Sequence, residues 1–109
     1  MAFQILVESE FEEAYEALSS VEKIRMERFI LQLKENPLMV GKPLGYLFFR
    51  EKKFDGKRLY YLVYELWKCV LLTGISGKKD QSLKISQVKG NLDDYRQSVE
   101  KQLKEKGLI

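Results

Sequence analysis

Residues 47–75 read LFFREKKFDGKRLYYLVYELWKCVLLTGI, and this stretch decides the fold. Two β-rich runs, Leu47 to Phe54 and Lys57 to Tyr64, flank Asp55-Gly56. That dipeptide readily takes the positive φ angles of a tight hairpin. Glu65 to Lys68 read as a second turn, and Cys69 to Ile75 as a third strand. The third run is apolar without alternation, so it is expected at the centre of a sheet with both faces buried. The result is a β-meander over residues 46–79.

Outward from the meander, the chain turns helical on both sides. Residues 37–45 hold Pro37, Gly41, Pro43 and Gly45 and read as a connecting loop. Before it, Phe3 to Val7 is a short first strand. Ser9 is placed to cap a helix whose first turn carries Glu10, Glu12 and Glu13, where carboxylates favour the helix dipole. Phe11, Ala14, Tyr15 and Leu18 form one apolar stripe on it. Ser19 followed by Glu22 is a capping box that opens a second helix. The apolar face of that helix draws on Val21, Ile24, Phe29, Ile30 and Leu33, and Asn36-Pro37 ends it. Past the meander, Ser76 to Gln81 read as a polar loop. Asn91 is expected to cap a terminal helix over 91–106 with the stripe Leu92, Tyr95, Val99 and Leu103. The fold class is α+β: a strand and two-helix hairpin (1–36) packed on a mainly antiparallel meander, with a C-terminal helix, in one domain of residues 1–109. Leu59, Val63, Leu71 and Ile75 are expected to share one core with Phe11, Tyr15, Leu18, Ile24 and Ile30.

Charge is unevenly spread. The net +3 divides into −4 over residues 1–41, +7 over 42–89 and zero over 90–109. A β segment with eleven basic and four acidic side chains repels itself unless an anionic partner covers it. No histidine is present, so histidine-based triads and metal sites are excluded. Glycine-rich phosphate loops are missing too. The single cysteine, Cys69, sits in an apolar run and reads as a buried, inert thiol. No apolar run is long enough to span a bilayer, and the N-terminus lacks the pattern of a secretory signal. The cytosol is the expected compartment, and no small-molecule cofactor or metal is implied.

The groups left to carry chemistry are the bases and aromatics of the meander: Arg50, Lys52, Lys53, Lys57, Arg58, Tyr60, Tyr61 and Tyr64, then Lys78 and Lys79. One reading is a solvated hairpin end whose lysines block an edge strand. The other is a groove that tracks phosphate and offers aromatic faces to bases, as single-stranded RNA requires.

The order of elements and three strings resemble the RelE/ParE toxin superfamily. The strings are NPLMVGKPL (36–44), GKRLYYLVY (56–64) and VLLTGISGKK (70–79). The added terminal helix is similar to that of the HigB-like branch. The resemblance implies the toxin of a type II toxin–antitoxin pair. Its partners would be a cognate antitoxin, often acidic and partly disordered, together with mRNA and the ribosome. It implies an mRNA interferase, an endoribonuclease in which the ribose 2′-OH attacks the neighbouring phosphate. Lysine, arginine and tyrosine can share the roles of base, charge stabiliser and acid in such a reaction.

Residue by residue, the resemblance implies catalytic roles for Arg58, Tyr61, Lys78 and Lys79, the basic residue after the last strand falling on Lys79, or on Lys78 with a one-residue slip. It implies phosphate contacts for Arg50, Lys52 and Lys53, to which the basic hairpin adds Lys57 and Tyr60. Arg58 and Tyr61 are alternatives: anchoring on Gly56 selects Arg58, and anchoring on Leu62-Val63-Tyr64 selects Tyr61 and turns Arg58 to the other face. A C-terminal tyrosine used by some members has no counterpart, and Ile85 lies near its place. Two further readings stay open: a gyrase-directed toxin, and an RNA-binding relative without turnover.

Overall fold

The computed structural model describes residues 2–109 as a five-stranded mixed sheet with two helices on each face. The strands are β1 (Gln4–Val7), β2 (Lys42–Tyr46), β3 (Phe49–Phe54), β4 (Lys57–Tyr64) and β5 (Cys69–Gly77), in the order β1-β5-β4-β3-β2. β1 runs parallel to β5, and every other pairing is antiparallel. The helices are α1 (Ser9–Glu16), α2 (Ser20–Glu35), α3 (Gln81–Gly90) and α4 (Leu92–Glu105). No helix of the described residues is long and apolar enough to cross a membrane.

The local signals of the meander act as expected. Asp55 and Gly56 both take positive φ, 47° and 74°, and close the β3–β4 hairpin with Phe54 facing Lys57. β5 lies between β1 and β4, and Cys69 through Thr73 are buried. Burial also pushes the Cys69 thiol up to about 11, so it stays an unreactive thiol at neutral pH. The capping box forms: the Ser19 hydroxyl accepts from the Glu22 amide, and the Glu22 carboxylate accepts from the Ser19 amide.

Five expectations about local structure need correction. Residues 37–45 are not all loop, because Lys42–Tyr46 pairs with β3 as an edge strand. An edge is where proline is tolerated, and Gly45 (φ 91°) sits in the irregular register between Pro43 and Tyr46. Leu47 and Phe48 then make the turn, so β3 begins at Phe49. Residues 81–90 form α3, whose inward positions are Lys84 and Val88; a lysine at a buried position hides the apolar period. Asn91 separates α3 from α4, but its side-chain amide donates to the Gln87 carbonyl at 2.7 Å and so closes α3 instead of capping α4. Ser9 is the first residue of α1, not its cap.

The core is two clusters on the two faces of the sheet, not one. Under α1 and α2 lie Phe11, Leu18, Met26, Leu33, Leu59, Tyr61 and Val63, with Tyr15, Ile30 and Ile75 packed against them. Under α3 and α4 lie Phe49, Tyr60, Leu62, Leu71, Val88, Val99 and Leu103. Leu71 therefore belongs to the second cluster. On α2 the inward row is Met26, Phe29, Ile30 and Leu33, while Val21 and Ile24 are 58% and 57% exposed.

The α2 N-terminus is tied to the hairpin by Lys57, whose ammonium donates to the Glu22 carboxylate at 2.6 Å. This bond and the Ser19 amide hold the Glu22 carboxyl below its ordinary range. A lowered carboxyl stabilises the fold above its unfolded value and loses that contribution as pH falls through the folded value. Glu22→Gln keeps a side-chain acceptor for the capping box but removes the titration. Its melting temperature should lie below the parent's at pH 7, and the two should converge below the glutamate range. Parallel curves down to pH 2 would rule out this linkage.

Candidate nucleic-acid interface

Strand alternation divides the basic and aromatic side chains between the two faces. Lys53 pairs with Arg58, and Arg58 pairs with Ser76, so these three form a row across β3, β4 and β5 on the α3/α4 side. Next to it runs the row Glu51, Tyr60 and Gly74. Lys78 and Lys79 follow from the end of β5 as exposed turn residues. At about 4.8 Å per strand, the first row spans roughly 10 Å. Lys53, Arg58, Tyr60, Lys78 and Lys79 are thus brought to one end of the sheet.

Arg50, Lys52, Lys57 and Tyr61 point to the α1/α2 face, and each is engaged there. Arg50 is buried and spends all three guanidinium nitrogens on the carbonyls of Val40, Leu47 and Gly41, at 3.1–3.2 Å. It ties the loop before β2 to the sheet, with three of its five N–H donors committed and the side chain buried away from an incoming phosphate. Lys52 lies over the Phe29 ring, and Lys57 pairs with Glu22. Tyr61 is fully buried, with its hydroxyl donating to the Val40 carbonyl. Burial raises its pKa, partly offset by Arg50, so it remains a protonated phenol. Tyr61 and Arg58 do lie on opposite faces, as their spacing requires.

Arg58 is 7% exposed, not at an open strand end as a hairpin position suggests. Its Nε lies 3.3 Å from the Glu51 carboxylate but off the hydrogen-bonding direction, so that buried nitrogen has charge contact without a bond. No hydrogen bond from the Arg58 guanidinium to the protein forms among the described residues, in contrast to Arg50. Glu51 itself is 1% exposed and is shared by Arg58, by Lys42 at 3.7 Å and by the Gln81 amide at 3.1 Å. Tyr60 shares a 2.8 Å hydrogen bond with Ser76, and burial raises its pKa as well. Neither tyrosine ionises at neutral pH. Ion pairs leave Lys53, Lys78 and Lys79 free among the described residues.

Sequence reasoning missed Glu51, Ser76, Gln81 and Lys84. Glu51 looked like one acid diluted among bases, and Gln81 and Lys84 lie in the unrecognised α3. Lys84 is buried against Gly74, where an added Cβ would come within 2.7 Å of its ammonium, and it pairs with Glu10.

Three solved structures overlay the backbone of this fold. The free E. coli RelE toxin, in an arginine-substituted form, matches with a TM-score of 0.67 and 19% identity over 80% of this chain and 93% of its own. The toxin–antitoxin complex RelBE2 of Mycobacterium tuberculosis gives 0.63 and 18%, over 72% of this chain and 100% of its own. The archaeal RelE–RelB complex of Pyrococcus horikoshii gives 0.62 and 16%, over 72% and 97%. The chain has the RelE-like fold. At the sequence level, no family model matches it, and no curated protein does. The RelE-like fold therefore stands on geometry, and the matches span nearly the whole of each neighbour while leaving part of this chain uncovered.

Proposed function

We propose that this chain is the toxin of a type II toxin–antitoxin pair and acts in the cytoplasm as a ribosome-dependent mRNA endoribonuclease. The observation that carries the reading is the Arg58 guanidinium, held in place by Glu51 with its hydrogen-bonding capacity unspent, beside three free lysines on a RelE-like fold. In the proposed reaction the ribose 2′-oxygen attacks the adjacent phosphorus and the bond to the 5′-oxygen breaks. A 2′,3′-cyclic phosphate and a 5′-hydroxyl remain, with the proton of the 2′-OH matched by one delivered to the leaving oxygen. Arg58 supplies a planar fork for the phosphoryl oxygens, and Lys53, Lys78 and Lys79 offset the growing negative charge. The proton carrier is one of the exposed lysines, since Tyr61 is sealed in the core and stays protonated.

A second reading has its own support. The buried Glu51 carboxylate offsets the Arg58 charge, and no exposed tyrosine stands beside it. This favours an RNA-binding relative without turnover. Induced expression followed by mapping of mRNA 5′ ends separates the readings. New ends at defined codons support the nuclease. Growth arrest with intact mRNA and altered DNA supercoiling supports a gyrase-directed toxin. Normal growth with intact mRNA supports the binding module.

The cognate antitoxin would lie on the +7 segment, as suits an acidic chain that orders on binding. The neighbours solved as RelE–RelB complexes support such a partner. Co-expression with the product of an adjacent short reading frame should restore growth, and the complex should weaken as salt rises from 0.1 to about 1 M, where the Debye length shrinks to about 3 Å. A complex insensitive to salt would move the antitoxin off the basic segment.

A further inference from the structure

The end of β2 and the turn into β3 carry three exposed apolar side chains in a row, Tyr46, Leu47 and Phe48. Tyr46 and Phe48 are 44% and 38% exposed, and their rings stack at 4.9 Å between centroids with 24° between planes. The Lys89 ammonium lies 6.0 Å from the Tyr46 ring centroid. The end of the Lys89 side chain also lies against Gly45, its nitrogen 2.7 Å from where a Cβ would stand. A stacked aromatic pair that keeps about two-fifths of its surface in water beside an ammonium fits a further aromatic ring with a phosphate next to it.

The same helix links this turn to the Arg58 cluster. α3 begins with Gln81 bonded to Glu51, which touches Arg58, and it ends with Lys89 over Tyr46. Eight residues of helix at 1.5 Å each separate the two ends by about 12 Å, a distance that a short stretch of extended single strand covers. The basic cluster and the aromatic pair therefore stand at opposite ends of one helix.

We infer that Tyr46 and Phe48, with Lys89, form a stacking site for a nucleobase of the same single-stranded RNA whose phosphate is held at Arg58, Lys53, Lys78 and Lys79. The inference rests on the proposed function and adds a base-binding position outside the reacting centre. Stacking on an aromatic face is tolerant of base identity, so this position contributes affinity and register, with little sequence choice.

The test compares a single-stranded RNA oligonucleotide with an abasic oligonucleotide of equal length, which keeps the phosphates and lacks the bases. Fluorescence anisotropy is read with the parent, Tyr46→Ala/Phe48→Ala, and Phe48→Trp as a variant that keeps a stacking face. The double alanine variant should bind RNA about tenfold to hundredfold more weakly, with abasic affinity unchanged, and Phe48→Trp should bind RNA at least as well as the parent. Equal RNA affinity for the double alanine variant and the parent would overturn the stacking site while the Arg58 cluster stands. So would a parent that binds RNA and the abasic strand equally. A parent that binds neither strand would overturn this inference, whereas the proposed function falls only if mRNA on translating ribosomes also stays intact.

Discussion

Arg58→Lys will lower mRNA cleavage by about a hundred- to thousandfold, as loss of a donor to a developing oxyanion does, while the melting temperature stays close to the parent's. Lysine keeps the positive charge beside Glu51 but lacks the planar fork that grips two phosphoryl oxygens. Arg58→Ala is a poorer probe, because it leaves a carboxylate that is 1% exposed without its arginine. Breaking a buried pair costs about 3–5 kcal/mol, reduced here because Lys42 and Gln81 still flank Glu51. Alanine should therefore lose both activity and stability. The double change Arg58→Gln/Glu51→Gln should recover stability and leave the protein inactive. Lys78→Ala/Lys79→Ala removes only exposed charge, and should relieve toxicity with a stability change within about 0.5 kcal/mol. Full toxicity in all of these variants would reduce the basic end of the sheet to a solvated surface.

Gly41→Ala should destabilise the fold by about 2–5 kcal/mol, through a left-handed backbone penalty of about 1–2 and overpacking of about 1–3. Gly41 has φ 67°, and a Cβ there would lie 2.2 Å from the Glu51 carbonyl oxygen and 3.0 Å from the Tyr61 hydroxyl. Both neighbours are fixed, one as strand backbone and the other in the core, and the Gly41 carbonyl also accepts from Arg50. The strain should reach the site, since the backbone forced aside belongs to Glu51. Gly56→Ala is the control, with a similar φ of 74° and open space where the Cβ would go. It should show only the smaller backbone penalty, and urea denaturation of both variants measures the difference. Equal losses would mean that β3 yields to the clash at no cost.

The meander was legible because its signals are local. Asp55-Gly56 dictates its own turn, the run Cys69 to Thr73 has no polar side to expose, and Ser19 with Glu22 close a capping box within four residues. What failed depended on partners far away in the chain. Nothing local marks Lys42–Tyr46 as a strand, since its edge position leaves most of its side chains exposed and its proline and glycines read as loop. Helix α3 hides behind Lys84, whose burial makes sense only once Gly74 and Glu10 stand beside it. On α2, the eye picks out Val21 and Ile24, yet the sheet selects the row of Met26 and Leu33.

The site was legible in residue type and not in side. The +7 charge pointed to the meander, but alternation alone sends Arg50, Lys52, Lys57 and Tyr61 away from Lys53 and Arg58. The pair of Arg58 on β4 with Glu51 on the adjacent β3 decides which arginine is held ready and which is spent on carbonyls. No spacing along one strand encodes that distinction.

The most direct test is cleavage of a defined mRNA on purified ribosomes, with the chemistry of the new ends determined. The account predicts cuts that appear only when ribosomes are present. The upstream fragment should end in a 2′,3′-cyclic phosphate and the downstream fragment begin with a 5′-hydroxyl, and Arg58→Lys should remove both products while staying folded. Intact mRNA after incubation with folded parent protein and translating ribosomes would contradict it.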